Sequence, residues 1–390
     1  MLTAIQTKSV ITPHEEIPEA VILVEDGVVK RLASKNELEI PAGARLIEAP
    51  DRIVAPGFVD IHVHGGAGFD LMQPSDEVLS AVSASLFRHG TTAYYPTTVT
   101  ASRDQTLSAV EYLGQAIKRM EAGEFSNPGR EEMATPLGIH LEGPFISMTK
   151  RGTHPIQHIM PPSKEFLNDL LDASDERIEI LTIAPEIEGA VEFIRYAKSL
   201  DLKIGLGHSN ATFEETERAI NAGATHAVHL FNAMRPWNQR DPGIVGAALA
   251  DPRLSCEIIA DGIHVHPLNV QIAFRQKSFE KILGVTDATS ATSMPDGRYQ
   301  LAGFEIEVKN GVCLGPDGQL AGSTLTQDRV VKHLVDWHCC SFREALQTAS
   351  LNIARLMGIE AHHGSIAAGM PARFNFFDQN LAFVETKTFE

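Results

Sequence analysis

The chain has 390 residues, 43% of them hydrophobic, sixteen histidines and a formal net charge of −17. That length accommodates a (β/α)8 barrel of about 250 residues together with a smaller companion. The acidic balance excludes a general nucleic-acid binder, which needs a basic footprint, and no apolar run approaches the roughly 20 residues of a membrane span.

From Met1 to Val10 the chain carries Lys8 and scattered polar residues where a secretory signal has a continuous apolar core, so no such signal is expected. Cys256, Cys313, Cys339 and Cys340 lack the spacing of a disulfide framework, which points to reduced thiols and a cytoplasmic location.

The first fifty residues read as short strands with tight turns. Ala20 to Val24 and Val28 to Leu32 flank Glu25-Asp26-Gly27, a hairpin signature with an Asp-Gly turn. After Pro56-Gly57, short apolar runs alternate with amphipathic helical stretches, the rhythm of βα units. Barrel strands are predicted near 58–63, 91–96, 137–142, 178–184, 202–207, 225–230, 255–260 and 281–286. Leu107, Val110, Leu113, Ile117 and Met120 recur at helical spacing. Thr212 and Glu215 form a capping box, and Gly223 ends that helix.

Residues 295–322 interrupt the pattern with Pro295-Asp296-Gly297, Asn310-Gly311 and Pro316-Asp317-Gly318, and are read as a β excursion. Helices are expected from about 325 to 338, and from Ser341, boxed with Glu344, to about Met357. The tail from Gly364 through Phe377 returns to strand character. The expected division is a small β-sandwich from residues 1–55 and 364–390, and a barrel over 56–363.

Chemistry-bearing residues fall at the ends of these strands. In Val59-Asp60-Ile61-His62-Val63-His64 alternate residues share a face, so His62 and His64 project together. They would do so at the C-terminal end of a first strand, where such barrels keep their active sites. Later strands end on Glu142, His208, His229 and Asp287. Singly, each has an ordinary reading: a solvated turn carboxylate, two hydrogen-bonded loop histidines, a helix cap. Gathered at the ends of different strands, imidazoles and carboxylates make a donor set for zinc, iron or a similar divalent ion.

The strings PGFVDIHVHG, GIHLEGPF, KRGTH, GHSNAT, HLFNAM, DPGIVGAAL, IIADGIH, VTDAT and GSIAAG span essentially the whole chain. On them the sequence resembles the N-acetylglucosamine-6-phosphate deacetylases of the amidohydrolase superfamily. The HxH pair and the late aspartate belong to the superfamily at large; LEGPF, HLFNAM and DGIH are particular to the deacetylases. The resemblance implies a distorted (β/α)8 TIM-like barrel with a small β-sandwich built from both chain ends, in a homodimer. It also implies metal-dependent hydrolysis of the acetamide of N-acetylglucosamine 6-phosphate, a reaction of amino-sugar catabolism and cell-wall sugar recycling.

By the same resemblance, Glu142, His208 and His229 are the principal metal ligands, Asp287 is the general acid/base beside them, and His154 contacts the acetamide oxygen. Asn232, Ala233, His264 and Arg240 match positions that meet the sugar phosphate, Arg240 by crossing a two-fold interface into the partner's site. His62 and His64 stand where some members lack histidine and hold one ion. Keeping both implies a second ion bridged through Glu142, since no lysine near the fourth strand offers a bridge, and hence one or two zinc or iron ions per chain. Lys150 and Arg151 lie in a matching loop and are either substrate-facing or solvated; His266 has no matching role and is read as structural. Arg373 stands where members often carry an aspartate. Two readings compete with deacetylation. Another amidohydrolase, such as a cyclic-amide hydrolase or a deaminase, would share the HxH pair and Asp287 without requiring Arg240, His264 or HLFNAM. A non-catalytic sugar-phosphate-binding barrel is disfavoured by the intact ligand set.

Overall fold

In the computed structural model of the chain, residues 1–125 and 132–389 are described. Eight parallel strands form the barrel wall: Phe58–Val63, Thr91–Pro96, Ile139–Glu142, Ile178–Ile183, Lys203–Leu206, His226–Ala227, Ser255–Ile259 and Ile282–Val285. Each lies inside its predicted window. They are buried along almost their whole length, because inner side chains cover one face and helices the other.

Continuous ladders join the third strand through to the eighth, and the first to the second. Closure of the ring rests on two single bridges, Thr97 with His140 and Val63 with Ala288. Side chains reinforce these seams. Val63 N–H donates to Thr97 Oγ1 (2.9 Å), His140 Nδ1 to the Ile61 carbonyl (2.8 Å), and Thr286 Oγ1 to Asp60 Oδ2 (2.6 Å). The first strand is thereby stitched to the second, third and eighth, and the barrel is distorted where those stitches replace ladder hydrogen bonds.

The helices pack outside by their apolar stripes. Arg103–Glu121 starts on a Ser102/Gln105 capping box and buries Val110, Leu113, Ile117 and Met120. The Thr212/Glu215 box and the Gly223 stop are present on Phe213–Ala222, with Gly223 at φ +125°. The expected helix over about 325–338 is Gln327–Asp336. The single helix expected from Ser341 to Met357 is instead two, Phe342–Thr348 and Leu351–Met357. The break has a local cause. The Ala349 carbonyl accepts from Val59 N–H on the first barrel strand (2.8 Å), and Ser350 leaves the helical region at φ −145°, ψ −87°.

Both chain ends share one seven-stranded sheet. Leu2–Ile11 runs antiparallel to Ala20–Glu25 and parallel to Arg45–Pro56, which pairs antiparallel with Arg373–Phe377; Phe383–Thr388 forms the edge. Asp26 and Gly27 turn the first hairpin at φ +53° and +74°, both positive as a two-residue Asp-Gly turn requires. Ile5, Ile22, Val54, Phe374 and Phe376 bury together, so residues from both ends make the core of the small β-sandwich. Asn375 ties it to the barrel by donating to the Pro56 and Gly90 carbonyls.

The β excursion is a three-stranded antiparallel sheet, Gly297–Leu301, Phe304–Lys309 and Val312–Leu314. Leu301, Ile306, Val308 and Cys313 pack with Val99 and Ala321, which sets this sheet against the barrel mouth. The four cysteines are free thiols. Among the described residues no helix is long and apolar enough to cross a membrane.

Gly114 lies inside Arg103–Glu121 where that helix meets Ser174, and a Cβ there would come within 2.6 Å of the Ser174 carbonyl carbon and closer still to its oxygen. Alanine normally favours a helix interior by about 1 kcal/mol over glycine, but backbone cannot yield as a side chain does. Gly114→Ala is expected to destabilise by about 1–3 kcal/mol; thermal denaturation showing an unchanged or higher Tm would contradict this packing.

Candidate active site

The strand ends that carry the predicted ligands are bent sharply. His208, His229 and Asp287 adopt φ of +45°, +33° and +51°, and Gly143, directly after Glu142, +75°. A non-glycine residue in this region costs about 1–3 kcal/mol, and such strain concentrates at functional sites. Here it accompanies the arrival of the ligand side chains at the barrel mouth.

Glu142 is their common centre. Its Oε1 lies 3.1 Å from His229 Nε2, 3.2 Å from His208 Nε2 and 3.3 Å from His62 Nε2. Its Oε2 lies 3.3 Å from His64 Nε2 and 3.4 Å from His154 Nε2. Asp287 Oδ1 sits 3.2 Å from His64 Nε2 and 3.7 Å from His62 Nε2. Two triads result, His62–His64–Glu142 and Glu142–His208–His229, with Glu142 in both.

Imidazole nitrogens face each other across this cluster, His62 and His64 at 3.2 Å and His208 and His229 at 3.1 Å. His64 Nδ1 is 3.1 Å from the Thr97 carbonyl and His208 Nδ1 3.0 Å from the Lys150 carbonyl. A carbonyl only accepts, so those Nδ1 atoms carry the proton and Nε2 offers its lone pair inward. The buried carboxylates demand positive charge among them. Burial opposes the charged imidazole, yet Asp287 and Glu142 push His64 up to about 9 and raise His62 strongly. Burial also opposes the Glu142 carboxylate, and His62 and His208 still hold it well below the usual range. A divalent ion meets the same demand with the lone pairs already converged, so both triads fit one.

A cavity of about 370 Å³ opens over the cluster, lined by Glu142, His208, His229 and Asp287. His154 lines it as well. Thr100 N–H donates to His154 Nδ1 (3.2 Å), which leaves the ring proton on Nε2, facing the cavity. Burial and the neighbouring His208 push its pKa down to about 4, so at neutral pH this ring is an uncharged donor. A side chain at Gly143 would collide with Thr100 and displace this arrangement.

Asn232, Ala233 and His264 form part of the same wall. Asp261 Oδ2 takes His264 Nδ1 at 2.6 Å and Oδ1 takes the His264 and Ile263 amides at 2.8 Å. Against burial, that carboxylate raises the His264 pKa and favours the imidazolium. Lys150 faces the cavity, whereas Arg151 donates to the His154 carbonyl (2.9 Å) and supports the loop. His266 is exposed and caps Pro267–Gln276 by accepting from Leu268 N–H, a structural role. His62 lies fully buried beneath the cavity floor. Arg240, unlike the other predicted site residues, reaches neither the cluster nor this cavity: it is exposed on a turn in which Asn238 Oδ1 accepts its amide.

Sequence reasoning missed Thr100, Asp261 and Glu257. Asp261 was findable from its i, i+3 spacing to His264, and Glu257 from being a glutamate in an apolar strand. Thr100 left no signal.

Residues 53–389 match the Amidohydrolase family. The N-acetylgalactosamine-6-phosphate deacetylase of Escherichia coli O157:H7 is 34% identical over 381 residues, covering 98% of this chain and 96% of that protein. The N-acetylglucosamine-6-phosphate deacetylase of Bacillus subtilis is 35% identical, covering 93% and 90%. A solved structure of a mutant N-acetyl-D-glucosamine-6-phosphate deacetylase from Mycobacterium smegmatis, in complex with N-acetyl-D-glucosamine-6-phosphate, is similar with a TM-score of 0.88. It is 32% identical, covering 98% of this chain and 96% of that one.

The geometry separates two carboxylates by role. Glu142→Ala removes the group common to both triads and should lose most bound divalent metal, while Asp287→Asn should retain it. Elemental analysis after metal loading tests this; full metal content in Glu142→Ala would show that the centre lies elsewhere.

Proposed function

The chain belongs to the amidohydrolase family, and from this we propose that it hydrolyses the acetamide of N-acetylglucosamine 6-phosphate to glucosamine 6-phosphate and acetate. The observation that carries the reading is the convergence of Asp287, the His154 Nε2–H and both triads on one cavity. The setting is amino-sugar breakdown in the cytoplasm. The unit of function is read as a barrel over 56–363 with a sandwich from 1–55 and 364–390.

Glu142, His208 and His229 would hold one divalent ion, and His62 and His64 with Glu142 a second, zinc or iron suiting these donors. Such ions polarise a carbonyl and bring the pKa of water towards about 7. The chain's own groups do the rest. Burial opposes charge on Asp287, but His62 and His64 hold its carboxylate below the usual range, so at neutral pH it is free to accept a proton. It takes that proton from the attacking water and delivers it to the departing amine, work typically worth about 10²–10⁴-fold. His154 Nε2–H donates to the acetyl oxygen as negative charge gathers there.

The phosphate needs local cations, because a chain of net charge −17 repels a dianion at long range. His264, whose imidazolium Asp261 favours, supplies one beside Asn232 and Ala233. Arg240 supplies the other in trans, across a two-fold homodimer interface. Its exposure, on a turn beside the 51%-exposed Trp237, supports a role outside its own cavity, and a two-fold axis makes the exchange reciprocal.

Acetate release should be measured on N-acetylglucosamine and N-acetylgalactosamine 6-phosphates and on the unphosphorylated sugars. Two charge-assisted contacts at about 1.5 kcal/mol each predict roughly 100-fold higher kcat/KM for a phosphorylated sugar. Equal rates would remove the phosphate site, and preference for the galacto epimer would reassign the substrate. In the same assay Asp287→Asn should lose about 10²–10⁴-fold. The trans assignment has a separate test. Arg240→Ala chains, weakened roughly tenfold by the loss of one such contact, and nearly inactive Asp287→Asn chains should on mixing exceed the activity that the Arg240→Ala chains show alone, since one site of the mixed dimer has its own Asp287 and its partner's Arg240. No recovery after verified subunit exchange would refute it.

A further inference from the structure

Glu257 stands in the middle of the seventh barrel strand, Ser255–Ile259, and is fully buried. A carboxylate without solvent is costly unless charge-assisted partners satisfy it, so its partners define its use. Glu257 Oε2 accepts from His62 Nδ1 at 3.0 Å and from the backbone N–H of His229 at 3.1 Å. Its Oε1 lies 3.3 Å from His226 Nε2. One oxygen therefore touches the side chain of one triad and the main chain of the other.

The ligand imidazoles are backed differently. His64 and His208 turn Nδ1 to the carbonyls of Thr97 and Lys150, whereas His62 turns Nδ1 to a carboxylate. A carboxylate behind an imidazole fixes the Nδ1–H tautomer and makes Nε2 a more basic ligand, which a carbonyl does more weakly. His62 Nε2 is the atom aimed at Glu142 and His64. The second bond of the same oxygen secures His229 where its backbone is bent to φ +33°.

We propose that Glu257 is a positioning residue for both triads: it holds His62 with Nε2 presented to the ion shared by His64 and Glu142, and it anchors the bent main chain that carries His229. The inference rests on the two-ion reading above and concerns how tightly the His62 ion is held. Removing the charge while keeping the shape isolates that effect. In Glu257→Gln the amide oxygen can still accept from His62 and His229.

The test uses the full chain loaded with zinc and does not require turnover. Nitrogen-15 NMR of labelled histidines should show His62 protonated at Nδ1 and ligated through Nε2 in the wild type. Chelator competition should give two zinc ions per wild-type chain, with the His62 ion bound about 10–100-fold more weakly in Glu257→Gln, and the His208–His229 ion little changed. Unchanged affinities in that variant overturn the positioning role while the two-ion reading stands. A single zinc in the wild type at saturating metal overturns both. Should Glu257→Gln fail to fold, the wild-type spectrum decides: His62 ligated through Nδ1, or protonated only at Nε2, refutes the proposal.

Discussion

Glu142 carries its charge at the end of the third barrel strand with almost no contact with water, and His62, His64, His208 and His229 stand 3.1–3.3 Å from its two oxygens. A carboxylate so placed is tolerable only among groups that bring positive charge, as protons or as metal. Much else in the barrel follows. Three other strands must deliver imidazoles to one point, and the sixth does so with only His226–Ala227 in regular pairing before the chain bends at His229. Polar threads run back from the cluster into the wall, through Glu257, Thr97 and the Lys150 carbonyl, so the rings of His62, His64 and His208 are held from behind.

The same demand accounts for the distorted wall. The first strand contributes both His62 and His64, and its ladder is interrupted, with register shifts against the second strand and a single bridge to the eighth. Thr286 and Asp60 close that last seam by side chains, and burial lifts the Asp60 carboxyl to about 6 even with Thr286 and the His62 amide bonded to it. Closure and ligand placement therefore draw on the same few residues.

The wall and the cluster were legible in the amino-acid sequence because both leave local marks. Short apolar runs between amphipathic stretches located all eight strands, and polar residues at their ends located Glu142, His208, His229 and Asp287. What stayed hidden depends on contacts distant in sequence. The break at Ala349 and Ser350 exists because Val59 claims a carbonyl, nearly three hundred residues away in the chain, that helix propensity cannot foresee. The tautomer of His154 is set by Thr100, fifty-four positions upstream. Ala302 and Gly303 turn the excursion at φ +47° and +87° without the proline-containing or Asn-Gly signals read elsewhere in that segment.

The left-handed residues His208, His229 and Asp287 have a consequence for the life of the protein rather than for its chemistry. Each costs about 1–3 kcal/mol, beside a net stability of only about 5–15 kcal/mol in ordinary domains. A cation that binds the folded cluster and not the unfolded chain offsets that cost by mass action, and the ligands must also shed their protons to receive it. An ion held there would thereby link resistance to unfolding and to proteolysis with metal supply. A shortage of the ion would leave the chain easier to degrade as well as slower to act.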